Sequence, residues 1–543
     1  MNTPQNLLIL IITLLLCLSP CLSEADQPDA KKNVLFVIVD DLRPVLGSYG
    51  DPIAETPAMD RLAKSSMRFD NAYCQVAMCG PSRASLISGL RPTTTGYVKH
   101  GKSLNHYIPD DYTTLPKQFT HSGYITKPIG KIHHNHSGDS RPGDWTEAWY
   151  NGQVNNALSP YRVYADPANI EKNKTTRGEL IEIKDADDSQ YGTYALAEDA
   201  INSIQLYEKD ARPFFIALGF YRPHVPWIAP QHYYDLYNTE EKNRLIDQTY
   251  LTKPNGKPFD AKTELPKGVG IYADNYMNQK QYEGTPEGGC DGLDMEGARH
   301  WIRAYYASVS LVDAQLGRVI DYLEANDLMK ETIIVVTSDH GYHLADHGNI
   351  WAKQTAFRDA ARIPLLIHAP ELTHQHSATD APVELIDIYP TLVDLAGIEP
   401  PAQPNGLRLE GKSLRPLLEQ PNAPWKEAAF HIWLSPVGSK YYLESSMTTR
   451  RYRYSEAWTV NGKGNDIMGS FGVDASDPDL YLEDAPYNRE LYDHWEDPKE
   501  HRNLIHNLSN APENAALNSL VDAYHHTLNK HHGWKAYHLN FDL

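Results

Sequence analysis

Cysteine is scarce in this chain: five in 543 residues, Cys17, Cys21, Cys74, Cys79 and Cys290. Cys17 and Cys21 lie in the N-terminal leader region, so three remain for the mature chain. An odd count excludes complete pairing. Cys74–Cys79 and Cys74–Cys290 are both conceivable bridges, and at least one thiol stays unbridged. Basic residues are outnumbered, 50 Lys and Arg against 70 Asp and Glu, for a net charge of −20. That disfavours nucleic acid as a partner, because phosphate binding needs a basic face. It leaves room for small anions in a local basic pocket. Long apolar runs are missing after residue 18, so no membrane span is expected. Internal repeats and low-complexity tracts are missing too.

The one apolar run, Leu7–Leu18, is broken only by Thr13 and is short for a bilayer. Small residues follow at Cys21, Ser23 and Ala25, as signal-peptidase cleavage requires. Residues 1–25 therefore read as a signal peptide, and the mature protein is expected to be secreted or periplasmic. Pro20 directly before Cys21 argues against a lipoprotein anchor there. Sequons begin at Asn135, Asn173 and Asn507.

With 41% hydrophobic residues the chain can bury a sizeable core. Asn33–Val39 (NVLFVIV) is an almost unbroken apolar run of strand length, the mark of a strand buried on both faces. It stops at Asp40-Asp41. Glu331–Thr337 stops at Ser338-Asp339-His340, Pro213–Phe220 stops before Arg222-Pro223-His224, and the weaker Gly123–Ile129 stops at Gly130-Lys131-Ile132-His133-His134. Between them, Ile302, Tyr305, Val309, Val312, Leu316, Val319 and Leu323 make one apolar stripe on a long helix. Alternating strands and helices predict an α/β domain with a mostly parallel sheet. Ligands in such sheets sit beyond the carboxyl ends of the strands, where all four runs place charged or imidazole groups.

A short Pro-containing stretch at Gln420–Pro424 is the expected boundary. It separates a catalytic domain, 26–424, from a C-terminal subdomain, 425–543. The subdomain should hold strands near Phe430–Leu434 and Arg450–Tyr454 and a last helix near Ala515–Leu528. Lys253–Gly297, rich in Gly and Pro, reads as a long loop.

Asp40, Asp41 and Asp339 offer hard oxygens that suit Ca²⁺ or Mg²⁺, and His340 could add a nitrogen. An Asp-Asp pair alone more often caps a turn, but a second acidic site after another strand shifts the balance toward metal. In Met78–Gly89 (MCGPSRASLISG), Pro81 fits a first helical turn and Gly89 a helix end. A helix start with Arg83 one turn in favours an anion. An ordinary loop-to-helix start would explain Pro81 and Ser82, but not the basic residues elsewhere.

Cys79-Gly80-Pro81-Ser82-Arg83 matches the C-x-P-S-R signature of type I sulfatases. NVLFVIVDDLRPVLGSYGD, GKIHH, RPHVPW, TSDHGYHLADHG and WAK follow the same order as in the iduronate-2-sulfatase-like branch, so the resemblance covers nearly the whole mature chain. It implies an alkaline-phosphatase-like large domain, a mostly parallel central sheet flanked by helices, and a smaller C-terminal α+β subdomain. It also implies that a separate formylglycine-generating enzyme oxidises Cys79 to formylglycine. The hydrated aldehyde carries two hydroxyls, one to attack sulfur and one to expel sulfate. By the same resemblance, Asp40, Asp41, Asp339 and His340, with the oxygen at position 79, hold Ca²⁺, favoured over Mg²⁺. Arg83, Lys131 and Lys353 hold the hydrate and sulfate oxygens. His134 is the base and His224 the acid, roles that are open to exchange, and His133 is structural. The implied substrate is a sulfated saccharide. The alternatives are a phosphoester or phosphonate hydrolase on the same fold, or a sulfated-glycan binder if Cys79 is never converted. Tyr342-His343 stands where the branch has tryptophan and alanine, beside the expected leaving-group pocket. Arg222 and His343 are candidates there for contact with a uronate or second sulfate, against a plain surface charge as the alternative.

Overall fold

Residues that read as doubly buried runs become the middle of a seven-stranded sheet. The computed structural model describes residues 31–135, 139–154, 162–253, 289–372, 376–437, 440–460 and 488–507, with a few isolated positions besides. The expected signal peptide, most of Lys253–Gly297 and all but two positions (Ser519 and Asp522, both helical) of the expected Ala515–Leu528 helix lie outside the described residues, as do parts of two sequons.

The strands are β1 (Asn33–Asp40), β2 (Met67–Phe69), β3 (Ile125–Gly130), β4 (Phe214–Pro223), β5 (Thr332–Ser338), β6 (Leu365–His368) and β7 (Ala378–Thr379), in the order β7-β2-β6-β5-β1-β4-β3. β1 runs parallel to β4 and β5, and β3 parallel to β4. β6 is antiparallel to β5 and β2. Alternation along β1 feeds two cores. Leu35, Val37 and Val39 enter one, and Val34, Phe36 and Ile38 the other. Each fully buried side chain of this size contributes about 1.5–3 kcal/mol relative to exposure. Every residue of this strand after Asn33 is buried, so it cannot slip register cheaply.

Helix α1 is Cys79–Ser88, α2 is Gly192–Tyr207 and α3 is Met295–Ala325. α3 starts at Asp294, whose carboxylate accepts from the Gly297 N–H (2.7 Å). Its apolar stripe is wholly buried and packs with α2 on the β1 face formed by Leu35, Val37 and Val39. α1 belongs to the opposite core. Among the described residues, no helix is long and apolar enough to cross a membrane.

A second, antiparallel sheet follows: β8 (Ala428–Val437), β9 (Lys440–Thr449), β10 (Tyr452–Val460) and β11 (Asn488–Asp493). The expected strands near 430–434 and 450–454 fall in β8 and β10. The sheet docks through the Ile432 N–H, which donates to Gln75 O (2.9 Å), just ahead of α1. Cys74, Cys79 and Cys290 are all buried and none is in a disulfide. Asn173, the second sequon, is buried, which leaves no room for a glycan.

Candidate active site

The carboxyl ends of β1, β3, β4 and β5 meet at residue 79. At the end of β1 the register with β4 shifts between Val39 and Asp40, and Asp41 takes a left-handed φ of 65°. This turns both carboxylates inward. The Asp41 N–H donates to Asp339 Oδ1 (3.2 Å), which ties the ends of β1 and β5 together. Tyr305 on α3 donates to Asp41 O (2.7 Å) from behind. At the end of β3, Gly130 has φ 70°, and a Cβ there would stand 2.0 Å from Gly219 O. Only glycine allows that approach. The next residue, Lys131, then turns its ammonium onto Asp40.

Cys79 occupies the first turn of α1, with Pro81 and Ser82 behind it and Gly89 ending the helix at φ 68°. Its Sγ lies 3.3 Å from His340 Nε2 and 3.4 Å from Lys353 Nζ. Arg83 Nε donates to Asp339 Oδ2 (2.9 Å) and Nη2 to Asp40 Oδ1 (3.3 Å). Lys353 also pairs with Asp41. Three carboxylates and three fixed cations thus surround one side chain, almost all of it closed to solvent.

Charge here is balanced by neighbours, not by water. Burial pushes the Asp40 carboxyl up, yet Lys131, His224 and Arg83 hold it well below the usual range. Burial lowers Lys353, but Asp41 and Cys79 keep it firmly protonated. Burial and Asp40 push the Cys79 thiol up, and Lys131 and Lys353 outweigh them, so it sits below its ordinary value. Asp41 is the under-compensated member. Burial pushes it up to about 7 against Lys353, and its Oδ2 is buried without a hydrogen-bond partner among the described residues.

That orphaned oxygen is what a cation would satisfy. Ligand atoms of Asp40, Cys79, Asp339 and His340 lie within 4.8 Å of one another, and so do those of Asp40, Asp41, Cys79 and His224. The set is rich in hard oxygen, which fits Ca²⁺ or Mg²⁺. All five residues expected as ligands are therefore together.

The imidazoles are held in different ways. His340 Nδ1 lies 2.9 Å from Gly341 O and His224 Nδ1 lies 2.6 Å from Val225 O. Each donates an Nδ1–H to that carbonyl and turns Nε2 toward the site. Burial and then Lys353 lower His224 well below its ordinary value. His134 stands at the mouth, lowered to about 4 by burial and Lys131. Its ring stacks on His100, centroids 4.0 Å apart and planes at 17°. Sequence reasoning missed His100, because nothing in Gly96–Gly101 distinguishes it from an ordinary loop histidine.

The two candidates for a sugar contact are both buried. His343 is wholly buried, with Nε2 2.8 Å from Thr355 Oγ1 and Nδ1 3.5 Å from Asp346 Oδ2, in an ion network with Arg43 and Asp359. Arg222 is buried and donates to His224 O, so it braces that histidine's backbone.

The sulfatase family model matches residues 32–398, two thirds of the chain. The chain belongs to the sulfatase family. A model of the N-sulphoglucosamine sulphohydrolase C-terminal region matches residues 345–461 of this sulfatase. It is 32% identical to human iduronate 2-sulfatase over 426 residues, 70% of this chain and 71% of that one. It is thus a type I sulfatase of the iduronate-2-sulfatase-like branch, a sulfuric-ester hydrolase. A structure solved in complex with D-glucosamine-2-N,6-O-disulfate matches with TM-score 0.66 at 21% identity, covering 93% of this chain and 100% of that one. The phosphonate monoester hydrolase of Silicibacter pomeroyi matches with TM-score 0.67 at 22% identity, covering 93% and 97%. Both share the fold, the alkaline-phosphatase-like architecture.

Proposed function

We propose that this sulfatase, once exported, removes sulfate from a sugar unit of a glycosaminoglycan or algal polysaccharide. A uronate 2-sulfate or a related residue is the proposed substrate, formylglycine made from Cys79 the reactive group, and Ca²⁺ the metal. The observation that carries the reading is residue 79 itself, caught between His340 Nε2 and Lys353 Nζ at the foot of three buried carboxylates. An anionic ester can enter such a place only if cations receive it. Cys79 is 2% exposed, which supports conversion by the maturation enzyme before folding closes over it.

The hydrated aldehyde supplies a nucleophilic hydroxyl and a second hydroxyl for sulfate release, and a bound Ca²⁺ supplies Lewis acidity and orientation. Asp40, Asp41, Asp339 and His340 hold the metal. Arg83, Lys131 and Lys353 hold the sulfate oxygens, where the transition state gathers negative charge. Kept neutral at the mouth, His134 accepts a proton through a ring nitrogen. His224, its Nδ1–H committed to Val225 O, would have to take up a second proton at Nε2 and would then pass that proton to the leaving sugar oxygen. These parts belong to the catalytic domain, 26–424, with 425–543 as the C-terminal subdomain.

The fold alone does not choose between sulfate and phosphorus esters, since a phosphonate hydrolase shares it. Matched sulfate and phosphate esters of one alcohol separate them. The reading expects kcat/KM to favour sulfate by at least tenfold. A preference for phosphate would assign the site to the second chemistry.

A further inference from the structure

A base must be aimed, and aiming usually falls to a hydrogen bond on the far ring nitrogen. His340 and His224 have such a bond. Among the described residues, no hydrogen bond fixes His134, although its ring stands at the mouth of the site. What meets it is the His100 ring, nearly parallel at 4.0 Å.

His100 is in turn set from below. Its Nδ1 is buried and has no hydrogen-bond partner among the described residues. That edge lies over the peptide that follows residue 79: a Cβ added at Gly80 would stand 2.6 Å from His100 Nδ1 and 2.6 Å from Tyr97 Oη. Tyr97 is held by a stack on Tyr107, centroids 4.5 Å apart at 8°. The absence of a side chain at position 80 therefore lets His100 settle onto the first turn of α1, and His100 then presents a flat face to His134.

We propose that His100 is a positioning residue for the reaction: seated on Gly80, it holds the His134 imidazole by stacking and fixes its orientation toward residue 79. It acts through its ring face, and its nitrogens take no part in the chemistry. The second residue of the C-x-P-S-R segment, Gly80, is thereby tied to the base. The proposal rests on the reading of His134 as the base, and the test below keeps the two apart.

The experiment is a double-mutant cycle on the converted enzyme, with formylglycine content measured by mass spectrometry so that rates are per converted site. A sugar sulfate and an aryl sulfate are both assayed. His134→Ala alone tests the base, and a loss of about 100-fold or more in kcat is expected. If it keeps full kcat, the base reading fails, whatever His100 does. Given that loss, His100→Ala should lower kcat at least tenfold on both substrates with KM nearly unchanged. His100→Phe, which keeps the flat face without nitrogens, should recover most of the rate. In the His134→Ala background His100→Ala should cost nothing further. A merely structural residue would cost as much in either background, and that result would overturn the proposal. So would a Phe variant as slow as the Ala variant, which would make a ring nitrogen the working part. So would a loss confined to the KM of the sugar substrate, which would make His100 a substrate contact. Gly80→Ala gives an independent arm. It should reproduce the kcat loss of His100→Ala, and an unchanged rate per converted site would contradict the seat on Gly80.

Discussion

Lys353 Nζ lies 3.4 Å from Cys79 Sγ while pairing with the Asp41 carboxylate, so one ammonium bridges the proposed nucleophile position and a proposed metal ligand. Its charge is held by the neighbouring acids against burial and does not depend on solution pH near neutrality. In the proposed reaction, replacing it removes a preorganised cation from the place where sulfate charge would grow. Lys353→Met should lower kcat by about 100- to 1,000-fold. Steady-state assays on a converted sample check this, and a loss under tenfold would remove Lys353 from the charge-stabilising role.

Asp41 Oδ2, buried and unpartnered among the described residues, predicts a stability link to metal. Adding Ca²⁺ to chelator-treated protein should raise the melting temperature, because a ligand that binds only the folded state stabilises it by about 2.7 kcal/mol at 100 times its Kd. In Asp41→Asn the Ca²⁺-dependent shift should shrink or vanish. Calorimetry with and without a chelator reads it, and an identical shift in the variant would take Asp41 out of the metal site.

His224 presents Nε2 to the site, with Nδ1 pinned on Val225 O. A sugar alkoxide needs a proton to leave and an aryl oxide does not. His224→Ala should therefore cut kcat/KM for a sugar sulfate by about 100-fold or more and for an aryl sulfate far less. Equal losses on both would deny it the acid role.

Acid should unfold the protein through buried histidines that the proposed reaction does not use. Burial lowers His431 to about 4, and burial together with His343 lowers His347 to about 3. Both are more readily protonated in the unfolded chain, near its ordinary value of about 6.5. Their contribution to stability is complete above that pH and is lost as pH falls from there toward 4 and 3. At about 1.4 kcal/mol per pKa unit, each loses on the order of 3–5 kcal/mol across its window. Glu500 and Glu384, both held well below their ordinary values despite burial, add their losses at still lower pH. Urea midpoints measured from pH 7 to pH 4 should fall steadily, and a flat profile would contradict the burial of neutral imidazoles.

Much of this was legible before any coordinates. β1, β4 and β5 announce themselves because strands covered on both faces must be apolar at nearly every position. The groups just after them are conspicuous because polar residues end those runs abruptly. Hence Asp40, Asp41, Asp339 and His224 are found together, and Lys131 joins them from the end of the weaker β3. What escaped depends on distant partners. His100 gains its meaning from Gly80 and His134, twenty and thirty-four positions away in the chain, and no local pattern encodes a stack. His343 looked like a pocket residue by position. The short hairpin that carries it, His343–Asp346 against Ile350–Ala352, turns its ring into the protein toward Thr355 and Asp346. β9 went unread because Lys440–Thr449 mixes polar and apolar residues between two better strands. Its identity comes from pairing on both sides.

The most direct test is mass spectrometry of the peptide that carries residue 79, taken from protein that is turning over a sulfated sugar. Formylglycine should stand at that position, with activity rising in proportion to the converted fraction. Full activity from a sample whose Cys79 is an unmodified thiol would contradict the account.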